Sequence, residues 1–307
     1  MKATAQTLTV APAIEKARTA EKSPSAVLSE LFKARLTTLV LLTTLVGFYL
    51  GWRGPMAYGL LMHTVAGTAL LAAGAAALNQ LLEREQDAKM RRTQDRPLPS
   101  GRMTPEAVLI LGGVCAGAGL VWLAVAVNLL TALLGALTLG SYLFVYTPLK
   151  RVTTLNTAVG AIPGALPPLM GWTAARGAVT GEGWSLFAIL FFWQLPHFLA
   201  IAWMYREDYE RAGFVMLPVV DPTGGRTGRQ ALSHTLGLLL VSLCPFLFGL
   251  VGRVCLAGAL ALGAAFVWFA FQFSRRISAA AARRLFYVSI LYLPLLLMLM
   301  VLDKTGR

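Results

Sequence analysis

Residues 57–96 read AYGLLMHTVAGTALLAAGAAALNQLLEREQDAKMRRTQDR, a long apolar run followed directly by a charged segment. Its first part, up to about residue 81, is apolar over more than the roughly 20 residues that a membrane-spanning helix needs. Acidic side chains at helical spacing follow at once, and then a cluster of Arg and Lys. An ordinary membrane loop needs only a few positive charges. The second part therefore predicts a site for a metal-bound polyphosphate at the membrane surface.

The whole chain has the composition of a helical membrane protein. Hydrophobic residues make up 57% of the 307 residues and charged residues 13%, about half the charged share of a soluble protein. The apolar runs are of helix length and do not alternate as the strands of a barrel would. We predict an all-α polytopic fold with about nine transmembrane helices, at residues 34–52, 57–81, 105–127, 129–147, 155–175, 184–204, 231–251, 254–273 and 285–302.

The positive charge lies almost entirely on one side of the predicted membrane. With nine spans, the opposite side holds five of the 27 Lys and Arg residues, Arg53, Arg176, Arg253, Lys304 and Arg307. Positive loops face the cytoplasm, so the net charge of +13 reports topology and gives no reason to expect a nucleic-acid partner.

We therefore predict two regions, a cytoplasmic N-terminal tail at residues 1–30 and a nine-helix membrane domain at residues 31–307. The prediction places the protein in a bacterial inner membrane, with the N-terminus and the charged loops in the cytoplasm. A mitochondrial inner membrane is the less favoured alternative, because a transit peptide is usually poor in acids. This segment holds Glu15 and Glu21.

Asn79, Glu83 and Asp87 are spaced four residues apart. On a helix each such step advances about 6 Å and turns only about 40°, so the three side chains should form one stripe. Carboxylate and amide oxygens suit Mg²⁺, which keeps several waters and binds phosphate oxygens. Nearby cations that can neutralise phosphate are Lys89, Arg91, Arg92 and Arg96. The alternative is a salt-bridged helix end, with Glu83, Asp87 and Arg91 as an i,i+4 ladder.

Two further clusters lie at predicted cytoplasmic helix ends. Tyr146 precedes Lys150 by one helical turn, so the two can share one wall of a pocket, although Lys150 and Arg151 alone would be ordinary positive-inside anchors. The second cluster contains His197 and, beyond Tyr205, several acids. His197 is either a hydrogen-bonded packing residue or a functional one, as a haem-iron ligand or a proton carrier.

The predicted fifth span contains three prolines and two glycines in the segment AIPGALPPLMGW at residues 161–172. Proline removes an amide donor, so we expect this helix to be kinked or broken. In lipid such a helix survives only where it packs against protein or lines a cavity. A functional cavity is the preferred interpretation, and a purely structural kink is the alternative.

Three blocks together resemble the haem-modifying branch of the UbiA family of membrane prenyltransferases. They lie at 79–101, at 146–172 with its KRxTxxN and GAxPP segments, and at 193–218 with WQLPH and YREDY. The resemblance implies a UbiA-like fold, with nine helices around a central cavity that opens to lipid. It also implies Mg²⁺-dependent transfer of a farnesyl group from farnesyl diphosphate to a vinyl group of haem B. Water adds in the same reaction, which gives haem O.

The resemblance also assigns roles to residues. The implied metal ligands are Asn79, Glu83, Asp87 and Asp208, the implied diphosphate contacts are Arg92, Arg96, Lys150 and Arg151, and the implied catalytic set is Asn79, Glu83, Asp87, Tyr146, Lys150 and Asp208. His197 is the expected haem contact. Two features depart from the common pattern: Glu83 and Glu85 stand where many relatives have Asp, and Tyr205 and Tyr209 stand where quinone-modifying relatives carry acids.

Two alternatives stay open at this point. One is a prenyltransferase of the same family that acts on a quinone or chlorin precursor, and the other is a haem-binding or transport protein without catalysis. The expected surroundings and partners are membrane lipid, farnesyl diphosphate and haem B as substrates, and haem A synthase or oxidase assembly proteins as candidate physical partners.

Overall fold

The computed structural model describes residues 22–305. Most of the predicted N-terminal tail, residues 1–21, therefore lies outside the described residues, as do the last two residues. The end of that tail is folded: Pro24–Leu31 forms helix α1, whose first turn is capped by Ser23, with Leu31 fully buried.

The rest of the described chain is helical, and it begins with helices α2–α7. Their bounds are α2 Ala34–Gly51, α3 Tyr58–Leu82, α4 Arg84–Asp87, α5 Pro105–Ala126, α6 Leu129–Gly140 and α7 Thr147–Leu149. A π-helical segment, Ser141–Tyr146, joins α6 to α7 without interruption.

The second half contains α8 Asn156–Arg176, α9 Gly181–Met204, α10 Arg206–Arg211, α11 Leu217–Val220, α12 Gly225–Val241, α13 Cys244–Leu247, α14 Arg253–Arg275 and α15 Ala279–Leu302. The fold is an all-α, multi-pass membrane architecture, as the sequence predicts.

Eight helical segments within residues 22–305 are long and apolar enough to cross a membrane. The remaining predicted span is α8, which has 21 residues but does not meet that apolar criterion. Its three prolines and its threonines and glycines lower its hydropathy, and it is the helix most enclosed by others. The nine predicted spans therefore correspond to nine long helical segments, and eight of these are apolar enough to be membrane-spanning by composition.

Helix α8 runs unbroken through its prolines, so of the two expected outcomes, a kink or a break, the break is wrong. Glycines let it approach α2 until the two backbones touch. A Cβ atom on Gly171 would lie 1.9 Å from the carbonyl oxygen of Thr44, and one on Gly47 would lie 2.0 Å from that of Pro168. The enclosure by neighbouring helices supports a segment that proline would otherwise destabilise.

The junction between α1 and α2 has an unusual backbone. Lys33 has a φ of 48°, and it is the only non-glycine residue with positive φ within residues 22–305. Helix α1 is held against α3, because the Gln80 side chain donates to the carbonyls of Glu30 at 2.9 Å and Leu31 at 2.8 Å. This contact fixes the direction in which Lys33 enters the helix bundle.

Candidate active site

A cavity of about 380 Å³ lies between α2, α3, the π-helical segment, α8 and α9. Most of the residues that the sequence singled out line it. They are Asn79, Glu83, Asp87, Arg92, Arg96, Tyr146, Lys150 and His197. The cavity has a charged end, formed where α3 meets α4, and an aromatic wall on α9. Its size falls within the range of small-molecule sites.

The charged end is built on a helix that continues past a local interruption. Helix α3 ends at Leu82 and Glu83 leaves the ideal helical conformation, yet the i,i+4 hydrogen bonds persist. The amide of Glu83 donates to the carbonyl of Asn79 at 3.0 Å, and that of Asp87 to Glu83 at 2.8 Å. The three side chains therefore share the predicted stripe, and all three are buried.

Each member of the stripe contacts a cation from elsewhere in the fold. Lys150 Nζ lies 2.6 Å from Glu83 Oε1, and Arg96 Nη1 lies 2.6 Å from Asp87 Oδ2. Lys150 also lies over the ring of Tyr146, 4.5 Å from its centroid, as the helical spacing suggested. Arg91 is exposed and forms no ladder with these acids, so the alternative of a salt-bridged helix end does not describe the structure.

Sequence reasoning missed the third cation, Lys33. Its Nζ donates to Asn79 Oδ1 at 2.7 Å and lies 3.5 Å from the hydroxyl of Tyr142. Lys33 stands just before the first span, where a lysine is typical of a positive-inside anchor. The sequence carries no signal for its left-handed backbone, which directs the side chain into the cavity.

The charges at this end shift one another's pKa values. Burial of the Lys33 ammonium and the nearby Arg96 lower the pKa of Lys33 to about 7. Burial works against the charged form of Glu83, but Lys150 and Lys33 outweigh it and hold the pKa of Glu83 below its usual range. Burial also opposes the charge on Lys150, yet Tyr146 and Glu83 raise its pKa above the usual range. Glu83 and Lys150 are therefore ionised at neutral pH.

The donor set fits one hard cation. Asp87 Oδ1 is buried and has no hydrogen-bond partner among residues 22–305, an arrangement that costs free energy unless a ligand satisfies it. No group of three His, Cys, Asp or Glu side chains capable of holding a metal occurs in that part of the chain. A metal here would rest on Asn79, Glu83 and Asp87, with the remaining positions left to water and phosphate oxygens.

The aromatic wall surrounds His197. Its ring stacks on Trp193, with the centroids 4.9 Å apart, and on Phe286 at 5.1 Å. His197 Nδ1 lies 2.7 Å from Ser289 Oγ, whose own hydrogen is directed to the carbonyl of Phe286 at 2.6 Å. Ser289 Oγ must then accept from Nδ1–H. Nε2 is left with its lone pair, the form in which imidazole ligates a metal.

The structure does not bring two of the expected residues into the cavity. Arg151 is exposed and does not line the cavity, unlike its neighbour Lys150. Asp208 is buried, but Arg211, one turn further along, holds its carboxylate at 3.0 Å. Asp208 lines a neighbouring recess with Arg91 and Arg206, and Arg92 lines both that recess and the cavity. The expected grouping of Asp208 with the first three metal ligands is therefore not what the structure shows.

These features define a class of protein: a multi-pass membrane enzyme whose cavity joins a charged, buried stripe to an apolar wall. The chain belongs to the UbiA prenyltransferase family, whose model matches residues 40–296. It is 50% identical over 288 residues to the protoheme IX farnesyltransferase of Solibacter usitatus, covering 90% of this chain and 98% of that protein. The protoheme IX farnesyltransferase of Koribacter versatilis is 42% identical over 287 residues, covering 90% and 93%.

Solved structures share the fold. A UbiA homologue from Archaeoglobus fulgidus, bound to GPP and Mg²⁺, superposes with a TM-score of 0.63 and is 15% identical in sequence. The match covers 89% of this chain and 99% of the homologue. At that identity the likeness supports the architecture alone.

Proposed function

We propose that this prenyltransferase moves a farnesyl group from farnesyl diphosphate to a vinyl group of haem B, with addition of water, to give haem O and diphosphate. The observation that carries the proposal is the single cavity that joins the charged stripe to His197. Relatives that match nearly their full length are protoheme IX farnesyltransferases, which favours haem over a quinone precursor.

The charged end would bind the diphosphate. Glu83, Asp87 and Asn79 would hold Mg²⁺, which when bound offsets the negative charge on the leaving diphosphate. Lys150, Arg96 and Lys33 already lie at hydrogen-bond distance from that stripe, so an arriving phosphate can take over their donors. Groups placed in advance stabilise developing charge without reorganisation. The carbon–oxygen bond of farnesyl diphosphate then breaks, and the electron pair leaves with the diphosphate.

The aromatic wall would bind the acceptor. His197 Nε2 is the atom proposed to contact haem iron, while Nδ1 is held by Ser289. The farnesyl carbon bonds to the terminal vinyl carbon, which leaves a cation beside the porphyrin. A water molecule adds there and releases a proton. Apolar side chains around the allylic cation, among them Leu190 and Phe198, exclude other water until the carbon–carbon bond has formed.

The proposal extends to location. The protein would reside in a bacterial inner membrane, with the charged end of the cavity towards the cytoplasm, where its water-soluble diphosphate product is released. Haem A synthase, which would consume the product, and oxidase assembly proteins remain the proposed physical partners.

The test is a reaction of purified protein in detergent with haem B, farnesyl diphosphate and Mg²⁺, followed by mass analysis of the haem. We expect a species heavier by farnesyl plus water, which chelation of the metal abolishes. Unchanged haem, with prenylation of a quinone precursor in a parallel reaction, would assign the protein to the sister branch of the family. Haem binding without product in either reaction would favour a carrier role.

A further inference from the structure

Two helix ends at the cytoplasmic side have the same backbone arrangement. Helix α3 is followed by Glu83, with φ −101° and ψ 8°, and then by α4. Helix α9 is followed by Tyr205, with φ −115° and ψ 24°, and then by α10. In the second end, Tyr205 N donates to Ile201 O at 3.0 Å and Tyr209 N to Tyr205 O at 3.1 Å, which repeats the pattern of the first.

The side chains at the matching positions differ. Where the first end has Asn79, Glu83 and Asp87, the second has Ile201, Tyr205 and Tyr209. An isoleucine and two phenols are poor ligands for Mg²⁺, which prefers carboxylate and phosphate oxygens. The nearby acid, Asp208, is one position out of register and is held by Arg211. The second end therefore does not fit a metal ion.

An arginine occupies this second end instead. Arg92 Nη2 lies 2.6 Å from the hydroxyl of Tyr209, and the guanidinium carbon lies 4.7 Å from the centroid of that ring and 5.4 Å from that of Tyr205. Both distances fall within the range of cation–π attraction. Arg92 lines the central cavity together with Tyr209, Lys150 and Arg96.

The guanidinium has donors to spare for a ligand. Arginine carries five N–H groups, and of these the contact with Tyr209 uses one. The contacts that hold the group in place come from two aromatic faces and a hydroxyl, and not from a carboxylate. A fixed, charged and partly unused donor beside the cavity is suited to a phosphate oxygen.

We propose that Arg92, held by Tyr205 and Tyr209, takes the place of a second metal ion, so that the site binds one divalent cation with each prenyl diphosphate. This inference rests on the proposed function, because it assumes a diphosphate in the cavity. Part of the positive charge that faces the diphosphate then belongs to the Arg92 side chain, so it does not depend on the concentration of metal ions.

The first test counts metal ions. Purified protein in lipid nanodiscs is saturated with farnesyl thiodiphosphate, a poorly reactive analogue, and titrated with Mn²⁺ while the spin-resonance signal of free Mn²⁺ is followed. One bound Mn²⁺ per chain is the expected result, and two would overturn the inference. If the wild-type protein bound no analogue at all, the proposed prenyl diphosphate substrate would itself be wrong, which is a distinguishable outcome.

The second test removes the guanidinium. Arg92→Gln should weaken binding of the analogue about tenfold or more at saturating Mn²⁺, because a charge-assisted hydrogen bond is lost, without changing the number of Mn²⁺ bound. Arg91→Gln is the matched control, since Arg91 is adjacent and exposed but lies outside the central cavity. Equal weakening by the two variants, or no weakening by Arg92→Gln, would contradict the proposal.

Discussion

The charged end of the cavity and its aromatic wall differ in how many segments of the chain build them. At the charged end, partners come from several segments: Glu83 meets Lys150, Asn79 meets Lys33, and Asp87 meets Arg96. At the aromatic wall, Trp193 and His197 stack within α9, and α15 supplies both Phe286, which stacks on His197, and Ser289, which orients the imidazole. The charged end therefore depends on the whole fold, whereas the wall depends on one helix pair.

The difference predicts that the two regions can be disabled separately. A variant at the charged end should stop the reaction and leave haem binding intact. A variant at the aromatic wall should weaken haem binding and leave binding of the diphosphate analogue intact.

Glu83→Gln and Asp87→Asn should each lower turnover by about 10²–10³-fold, because each removes charge that binds metal and diphosphate. Haem binding, followed by absorbance, should stay within about twofold of the wild type. Glu85→Gln is the control, since Glu85 is exposed on another face of the same short helix. Full activity and unchanged Mg²⁺ dependence in both variants would remove the stripe from the mechanism.

Loss of a residue that orients a metal ligand typically lowers metal affinity by roughly 10–100-fold. His197→Ala should weaken haem binding by more than this, because it removes the proposed ligand itself. It should also shift the haem absorption maximum. Ser289→Ala should fall within that 10–100-fold range, because it frees the imidazole that Ser289 orients. Binding of the diphosphate analogue should not change. His63→Ala, on the exposed face of α3, serves as the control. An unshifted absorption maximum in His197→Ala would show that His197 does not ligate iron.

Gly171→Ala should affect both regions together. Its new Cβ would overlap the backbone of Thr44, so α2 and α8 must separate, at a cost of about 1–3 kcal/mol in the free energy of unfolding. We expect a lower melting temperature, with turnover and haem affinity reduced in parallel. Gly117→Ala is matched, because no atom lies within 4 Å of its Cβ position. A loss of one function alone would indicate that the helix contact serves only one region.

Lys33→Gly separates stability from function at a single residue. Glycine adopts the left-handed backbone without the roughly 1 kcal/mol that a side chain pays there, so the variant should be as stable as the wild type or slightly more so. Affinity for farnesyl thiodiphosphate should fall several-fold. Arg35→Gln, two residues on and exposed, should change neither quantity. A large fall in melting temperature in Lys33→Gly would assign the lysine a structural role.

The stability difference between Lys33→Gly and the wild type should also depend on pH. The pKa of Lys33 falls from 10.5 to about 7 on folding, so between these values the unfolded chain binds more protons than the folded one. The free energy of unfolding of the wild type therefore increases as pH rises above 7. Below pH 7 the full cost of burying the charged Lys33 ammonium is present. The advantage of Lys33→Gly in melting temperature should be largest at pH 6 and shrink towards pH 9. A constant difference would mean that Lys33 is not buried as a charge.

The sequence predicted those features that a short window encodes. Hydropathy located every long helix, but α12 and α15 each begin six residues before the predicted start, and α12 itself ends at Val241, ten residues before the predicted end. The first turns of both helices contain arginines, and a hydropathy window does not include them. The spacing of Asn79, Glu83 and Asp87 predicted a shared stripe even though the helix is interrupted at Glu83, because the i,i+4 hydrogen bonds survive there.

The features that the sequence did not predict depend on side-chain contacts and packing in the folded chain. The role of Asp208 as a metal ligand stays a prediction, and nothing in the sequence indicated that Arg211, one turn further along the same helix, holds its carboxylate. The part played by Lys33 depends on one backbone angle. The prolines of α8 suggested a broken helix because local propensity does not register how closely neighbouring helices enclose it. The structure shows where the site residues lie. Their roles remain predictions, which the variants above test.

The π-helical segment Ser141–Tyr146 has a consequence for how this site can change in evolution. A π-turn accommodates one residue more than an α-turn, so the segment is equivalent to an α-helix with a single insertion. If the same residues formed a regular α-helix instead, all that follows would rotate by about 100° relative to what precedes it. The ammonium of Lys150 would then turn away from Glu83. The wide turn therefore absorbs one residue of chain length while Lys150 keeps its place at the cavity.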